Sequence, residues 1–379
     1  MSFAAVATPI QRLLVVNCGS STFKWSVLDV ASEATLANGS SALGEVTAES
    51  LPELLAGAEG FDAVAHRIVH GGARFAAVVR VDDPVREALE ELLGLAPLHM
   101  RPALGALDAC SSAFPKIPQF AAFDTAFHRT IPEHRRQYAL PKTWRERWQL
   151  QRFGFHGLSV EYCVHRTREI LGALPPRLLV CHLGSGCSIT AVEKGCSVDT
   201  TMGFTPLEGP MMATRSGSID PGLLLWLLRS GLSLEEVERG LWNASGLIGL
   251  SEGKSDLRAL LAAQDAGSAT AKLAYTAFQA SVVHSIGAML AALGGVDALV
   301  MTGGMGENSS RLRADLLRPF AFAGVVVDEA ANARAAGDAT LSPGGAAVTV
   351  LALHTREDLS ILHGVKAALR LATPPNLEA

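Results

Sequence analysis

The sequence predicts an α/β protein built from two related lobes, and three observations carry that expectation. The chain has 379 residues, 49% of them hydrophobic and 18% charged, enough apolar material for one large α/β unit or two ordinary domains. Strand-like and helix-like segments alternate along it. One short pattern occurs twice: residues 12–27 read RLLVVNCGSSTFKWSV and residues 177–192 read RLLVCHLGSGCSITAV. Aligned without gaps, the two copies share Arg, Leu, Leu, Val, Gly, Ser and the closing Val.

Each copy is an apolar β-type run, a turn of small residues and a second β-type run, which predicts a hairpin. Small turn residues leave backbone N–H groups open and let an anion approach closely. Ser20, Ser21, Thr22, Ser185 and Ser188 add hydroxyls there. A duplicated hairpin suggests two lobes gripping one phosphate chain; Gly-Ser turns between valine-rich strands also occur with no such role.

Residues 298–302 read as a strand, followed by the turn Gly303-Gly304-Met305-Gly306 and a helix opening at Glu307-Asn308-Ser309-Ser310. Strand, glycine turn and helix N-terminus commonly hold a nucleotide. A second glycine segment, Gly249 to Ser255, resembles a P-loop but is one residue short between its glycines and is not read as one. Strands are also expected at 63–69, 120–123 and 348–353. Helices are expected at 84–93, 103–112, 222–229, 234–241, 269–293 and 357–371, the last with Leu359, Leu362, Val365 and Leu369 as a core-facing stripe. The Pro-, Trp- and Arg-rich run PKTWRERWQLQR, residues 141–152, ends the first lobe, and a boundary is expected near 145–155.

The net charge of −5 excludes a global basic field for nucleic acid or an anionic membrane. In the apolar stretch 281–302, His284, Ser285, Gly294-Gly295 and Asp297 interrupt any span, so a buried helix and then a strand are expected. The N-terminus has neither a basic region nor a long apolar run, and a cytoplasmic location is expected. The six cysteines form no CxxC pair and read as reduced thiols.

Four segments concentrate ionisable and small residues without packing logic: HRIVHGG with Arg67, FDTAFH with Asp124, RFGFHG with His156, and the long turn-rich run 198–221 with Arg215. An Arg fork suits a carboxylate or phosphate, and an Asp at a strand end suits Mg²⁺ or the orientation of a nucleophile. Singly, each could be a cap, a surface cation or a structural imidazole.

Together these segments resemble the acetate kinase family of short-chain carboxylate kinases. From Asn17 to Glu357 the chain carries HRIVHGG, LAPLH, FDTAFH, GFHG, CHLGSG, SVDTTMGFTPLEGP, TRSGSIDPG, SGLIGLSE and TGGMGENSS in the family's order. The resemblance implies two duplicated domains of the actin/Hsp70/sugar-kinase (ribonuclease H-like) type with the active site in the cleft. The first would span 1–150, completed by a C-terminal helix at 357–379, and the nucleotide-binding second would span 151–356.

It also implies reversible phosphoryl transfer from ATP to acetate, giving acetyl phosphate and ADP, with Mg²⁺ (Mn²⁺ as an alternative) and a homodimer. Arg67 and Arg215 would bind the carboxylate and the transferring phosphoryl oxygens, with His156 donating to those oxygens. Asn17 would position a phosphate oxygen and reach the metal, and Asp124 and Glu357 would hold the metal. The acyl pocket would be Val69, Leu98, Phe155 and Pro206. Lys24, His182, Gly184, Ser185 and Gly186 would meet the nucleotide phosphates. Asp256, Leu257, Arg258 and the run Gly303, Gly304, Met305, Gly306, Glu307 and Asn308 would meet the rest of the nucleotide. Propionate or butyrate kinases, or a nucleotide-binding paralogue without catalysis, are alternatives within the resemblance. A sugar or glycerol kinase would use Asp124 as general base, but two arginines around the acceptor favour a carboxylate.

The chain departs from the family's pattern at Met100 and Arg101 after LAPLH, at Ser185 for Asn, at Val160 for a second His, and at Leu257 for an aromatic. Arg101 reads either as a third cation at the substrate mouth or as a surface Arg.

Overall fold

Residues 13–16 are an apolar run buried on both sides of the strand 12–18, which is what a strand in the middle of a sheet requires. In the computed structural model, which describes residues 10–19, 22–42 and 46–372, this strand is the third of six in the first sheet. The chain divides into two compact units, Met1–Ala126 with Arg356–Ala379, and Phe127–Thr355. Residues 127–150 therefore belong with the second unit, and the Pro/Trp/Arg-rich stretch lies inside it.

Unit 1 contains β1 (Arg12–Cys18), β2 (Thr22–Asp29), β3 (Thr35–Ala42), β4 (Ala63–Ile68), β5 (Val79–Arg80) and β6 (Gln119–Phe123), in the order β3-β2-β1-β4-β6-β5. β1 and β2 form the expected antiparallel hairpin, with Asn17 opposite Lys24, while β4 runs parallel to both β1 and β6. Leu14, Val16 and Cys18 pack with Ala106, Ala109 and Cys110 of the helix Pro97–Ala113. The alternate residues Leu13 and Val15 are buried too, and the helix Glu357–Ala372 contacts β1 and β4, burying Ile361, Leu362 and Val365.

The helix expected at 103–112 begins earlier, at Pro97. Proline is well placed in a first turn, where its missing N–H is not needed, so LAPLH opens this helix. β3 was not anticipated: its Asn-Gly-Ser-Ser stretch lacks an apolar run because it is a half-exposed edge strand.

Unit 2 contains β7 (Arg177–Leu183), β8 (Cys187–Glu193), β9 (Cys196–Thr200), β10 (Ala298–Thr302), β11 (Ala339–Thr340) and β12 (Thr349–Ala352), in the order β11-β12-β10-β7-β8-β9. Read from the other edge, this is the order of unit 1 strand for strand. The parallel and antiparallel pairings repeat as well. The repeat seen in 12–27 and 177–192 is thus the first hairpin of a duplicated fold. Val160, Cys163 and Val164 of the helix Gly157–Leu171 pack on Leu178, Val180, Val300 and Leu351.

The helix Ala269–Leu293 is long and apolar enough to cross a membrane by length and composition. It contacts β7 and β8, and Ala274, Phe278, Val282, Ile286 and Met289 are buried. It ends at Leu293 ahead of β10, as expected for 281–302. All six cysteines are free, and only Cys196 is exposed.

One expected turn is a helix. β10 runs directly into Gly303–Asn308, and Ser309 then caps a second helix, Ser310–Leu317. Gly303 makes the change of direction at φ +75°, where a Cβ would lie 2.8 Å from the Leu183 carbonyl carbon. Only glycine allows both that dihedral and that approach, so Gly303 is required at a sharp strand-to-helix junction.

Candidate functional site

In unit 1 the functional side chains come from the carboxyl ends of neighbouring strands, where open α/β sheets place ligands. Asn17 is near the end of β1, Arg67 is on β4, Asp124 follows β6, and Glu357 opens the C-terminal helix. Arg67 Nε and Nη2 donate to Asp124 Oδ1 and Oδ2 at 2.9 and 2.5 Å, and Nη1 donates to Asn17 Oδ1 at 3.2 Å. Glu357 Oε2 lies 3.3 Å from Arg67 Nε.

Burial by itself would lower the Arg67 pKa, but the Asp124 and Glu357 carboxylates outweigh it and hold the guanidinium charged. Burial pushes the Asp124 carboxyl above its usual range; Arg67 pulls against this and Glu357 adds to it. A cavity of about 440 Å³ opens beside this cluster, lined in part by Asn17, Lys24, Trp25, Arg67 and Glu357. Lys24 is exposed and lies in this unit, next to Asn17 across the hairpin.

In unit 2 the turn between β7 and β8 is the centre. Gly184 N donates to Gly186 O at 3.0 Å, closing it tightly. A Cβ at Gly186 would lie 3.2 Å from Arg215 Nη1 and 3.3 Å from His156 Nε2, so both side chains stand against the turn. Arg215 Nη1 donates to Pro206 O at 3.1 Å, and its guanidinium lies 5.3 Å from the Trp242 ring centre. Burial pulls the Arg215 pKa down, and among the described residues no carboxylate pairs with it. Its loop is stitched to the turn, because Ala213 N donates to Ser185 O.

His156 sits at φ +59°, a dihedral that β-carbon sterics disfavour, at the N-terminus of the helix Gly157–Leu171. Its loop is held from below by His128, whose Nδ1 and Nε2 lie 2.9 and 3.0 Å from Ser197 Oγ and Phe155 O. Gly154, at φ +75°, passes so close to the His128 ring that a Cβ would lie 2.6 Å from it.

Arg152 closes the other side, donating to the Thr200, Thr201 and Met202 carbonyls and to Glu208. The strings RFGFHG and MGFTPLEG are therefore parts of one hydrogen-bonded unit. The His182 ring lies against that of His156, with ring centres 4.3 Å apart and the planes tilted by 37°.

Asp256 caps the helix Leu257–Asp265 by accepting from Arg258 N and Ala259 N, Arg258 is exposed, and Leu257 is buried. Glu307 is committed locally: Oε1 accepts from Gly303 N and Thr355 N, each at 3.1 Å, and Oε2 lies 2.7 Å from His354 Nδ1. Asn308 Nδ2 donates to Gly304 O. Gly304 is exposed, Met305 half-buried and Gly306 buried.

Of the expected acyl-pocket residues, Val69, Phe155 and Pro206 are buried. The side chain of Leu98 lies outside what the structure describes, as do Ser20 and Ser21.

The departures also find places. Met100 is fully buried in the core of unit 1. Arg101 is exposed and lines a surface cavity with Arg86, Glu90 and Asp108, which supports its surface reading. Val160 is buried in an apolar cluster where an imidazole would lack partners, and Ser185 is exposed. Residues that carried no sequence signal as site members are Ser159, Thr355 and Trp242. Each reaches the site from a segment whose own pattern is only helix or loop.

Residues 52–363 match the profile of the Acetokinase family. The chain is 44% identical over 305 residues to the acetate kinase of Synechocystis sp., covering 79% of this chain and 74% of that one. It is 38% identical over 387 residues to the acetate kinase of Carboxydothermus hydrogenoformans, covering 92% and 97%. The crystal structure of Porphyromonas gingivalis acetate kinase superposes with a TM-score of 0.87 at 34% identity, covering 95% of this chain and all of that one. A propionate kinase from Francisella tularensis superposes equally well, at 0.87 and 31% identity over 93% and 98% of the two chains. Sequence and fold thus agree over nearly the whole length, and the chain belongs to the acetokinase family.

Proposed function

We propose that the protein transfers the terminal phosphoryl group of ATP reversibly to acetate, forming acetyl phosphate and ADP. The observation that carries this is Arg215, a partly buried guanidinium with no carboxylate partner among the described residues, set against the Gly184–Gly186 turn beside His156. A cation kept without its own anion awaits one from outside.

The acceptor is already ionised near neutrality, since carboxyl pKa values lie at about 4, so no strong general base is needed. One acetate oxygen attacks the terminal phosphorus as the bond to ADP breaks. The protein's task is to compensate converging negative charge. Arg67 binds the acceptor carboxylate, oriented by Asp124 and Asn17. Arg215 and His156 donate to the oxygens of the moving phosphoryl group, and the turn at Gly184, Ser185 and Gly186, with His182, takes the phosphates that stay on ADP.

Asn17, Asp124 and Glu357 offer an amide and two carboxylate oxygens, a hard donor set that fits Mg²⁺ with retained waters. When bound, the ion would neutralise phosphate charge. The apolar residues Val69, Leu98, Phe155 and Pro206 are the expected readers of acyl length. One methylene changes binding by only about 1–3 kcal/mol, so propionate is an alternative acceptor.

A cytoplasmic location and a homodimer complete the proposal. The helix Pro221–Arg229 has no buried residue and presents Leu223, Leu225 and Trp226 at 44%, 54% and 62% exposure. Such a patch supports docking of a second copy.

Trapping the acyl phosphate with hydroxylamine, across formate to butyrate and with ATP against pyrophosphate, tests the reaction. Hydroxamate from acetate with ATP is expected. Turnover of a sugar or glycerol with none of acetate would overturn it.

A further inference from the structure

Two imidazoles in unit 2 meet the glycine turn in the same way. His156 Nδ1 lies 3.1 Å from Ser188 Oγ, and His182 Nδ1 lies 2.8 Å from Ser159 Oγ. Their other edges face the turn: a Cβ at Gly184 would lie 3.5 Å from His182 Nε2, and one at Gly186 would lie 3.3 Å from His156 Nε2. Each ring therefore has Nδ1 at a serine hydroxyl and Nε2 beside the turn.

The His182 anchor continues further. Ser159 Oγ lies 2.8 Å from Thr355 Oγ1, a residue 196 positions away in sequence. Ser159 is fully buried on the helix Gly157–Leu171, so its hydroxyl has no bulk water to turn to. Thr355 is itself fixed, because its N–H donates to Glu307 Oε1, the same oxygen that accepts from Gly303 N. A continuous path thus runs from the Gly303 junction through Glu307, Thr355 and Ser159 to His182 and the Gly184 turn.

A hydroxyl has one proton to donate. Either hydroxyl of the Ser159–Thr355 pair can be the donor; in the arrangement where Thr355 donates, Ser159 donates to Nδ1 of the neutral imidazole and the ring proton sits on Nε2. In that tautomer Nε2–H is a donor aimed at the turn. In the other tautomer Nε2 would turn a lone pair toward any phosphate there.

We propose that Ser159 and Thr355 are positioning residues, a hydroxyl relay that holds His182 as the Nε2–H tautomer and aims it at a nucleotide phosphate. This rests on the nucleotide reading of the Gly184–Gly186 turn given above.

The test compares Thr355→Val, which removes the hydroxyl at nearly constant shape, with Thr355→Ser, which keeps it. The first readout is the ring ¹⁵N spectrum of the ligand-free full-length protein, with the His182 signals assigned from the spectrum of His182→Gln. Native protein and Thr355→Ser are expected to show Nε2–H, and Thr355→Val a mixture of tautomers. The second readout is ADP affinity with Mg²⁺. Losing one hydrogen bond of ordinary strength should weaken it by roughly 3- to 10-fold in Thr355→Val, with Thr355→Ser close to native. Native ADP binding together with unchanged tautomer and affinity in a folded Thr355→Val protein would overturn the relay. Absence of ADP binding by the native protein would instead overturn the nucleotide reading.

Discussion

Arg67 and Asp124 meet edge to edge, two parallel hydrogen bonds joining the guanidinium of β4 to the carboxylate that follows β6. The pair is shielded, with side-chain exposures of 18% and 2%. It orients the arginine, whose Nη1 also reaches Asn17.

Removing Asp124 leaves a shielded guanidinium with only Glu357 to balance it. Asp124→Ala should destabilise the protein by about 3 kcal/mol, near the lower end for a broken buried pair because Glu357 remains. Asp124→Asn, which keeps one acceptor oxygen, should lose less. Urea unfolding of the two variants against the native chain measures the difference, and equal stability of all three would contradict the pairing.

Arg215 gives the opposite signature. Among the described residues no carboxylate is stranded by its removal, so Arg215→Ala should fold with near-native stability while kcat falls roughly 10²–10³-fold, as for loss of an electrostatic donor. Steady-state kinetics and a thermal melt on the same sample separate the two. A near-normal kcat with only a raised KM for acetate would refute the assignment to the moving phosphoryl group.

Acid should weaken the fold through histidines. Burial lowers the pKa of His66, His70 and His128 from 6.5 to about 4 each. In that window the unfolded chain holds more protons than the folded one, so stability is fully present above it and falls as pH drops through it. Each histidine contributes up to about 1.4 kcal/mol per pH unit there. Urea midpoints across the window should fall with acid, and a folded His128→Gln variant should show a shallower slope. A native midpoint that does not change with pH would rule this out.

Trp226 tests the second copy. Trp226→Glu on the exposed apolar helix should halve the mass seen by light scattering without lowering helix content. A native protein that is already monomeric would remove the homodimer from the proposal.

Much of this fold is legible along the chain because its causes are local. Asp82, Asp220, Ser233 and Ser268 cap helices close to where the apolar periodicity begins them. The two hairpins are visible because strand, small turn and strand are contiguous. The edge strand β3 was not legible, since half of its side chains face solvent and its composition is that of a loop. The helix at Gly303 was not legible either: three glycines read as a turn, and only contact with the Leu183 backbone explains why the strand-to-helix junction needs glycine at Gly303.

The site divides in the same way. Its candidate residues stand in short segments rich in glycine and ionisable groups, and their order along the chain carries the family resemblance. Sequence by itself determined the duplicated α/β architecture, the family and the roster of arginines, histidines and carboxylates. Tertiary structure alone decided which of them are partnered. Among the described residues Arg67 is held by three groups and Arg215 by no carboxylate, Glu307 is tied to Gly303 and Thr355, and His182 is reached through Ser159, itself bonded to a threonine 196 residues away. Propensity and periodicity act over a few residues, whereas a hydrogen-bond partner is chosen by which side chains the packed sheets bring within about 3 Å.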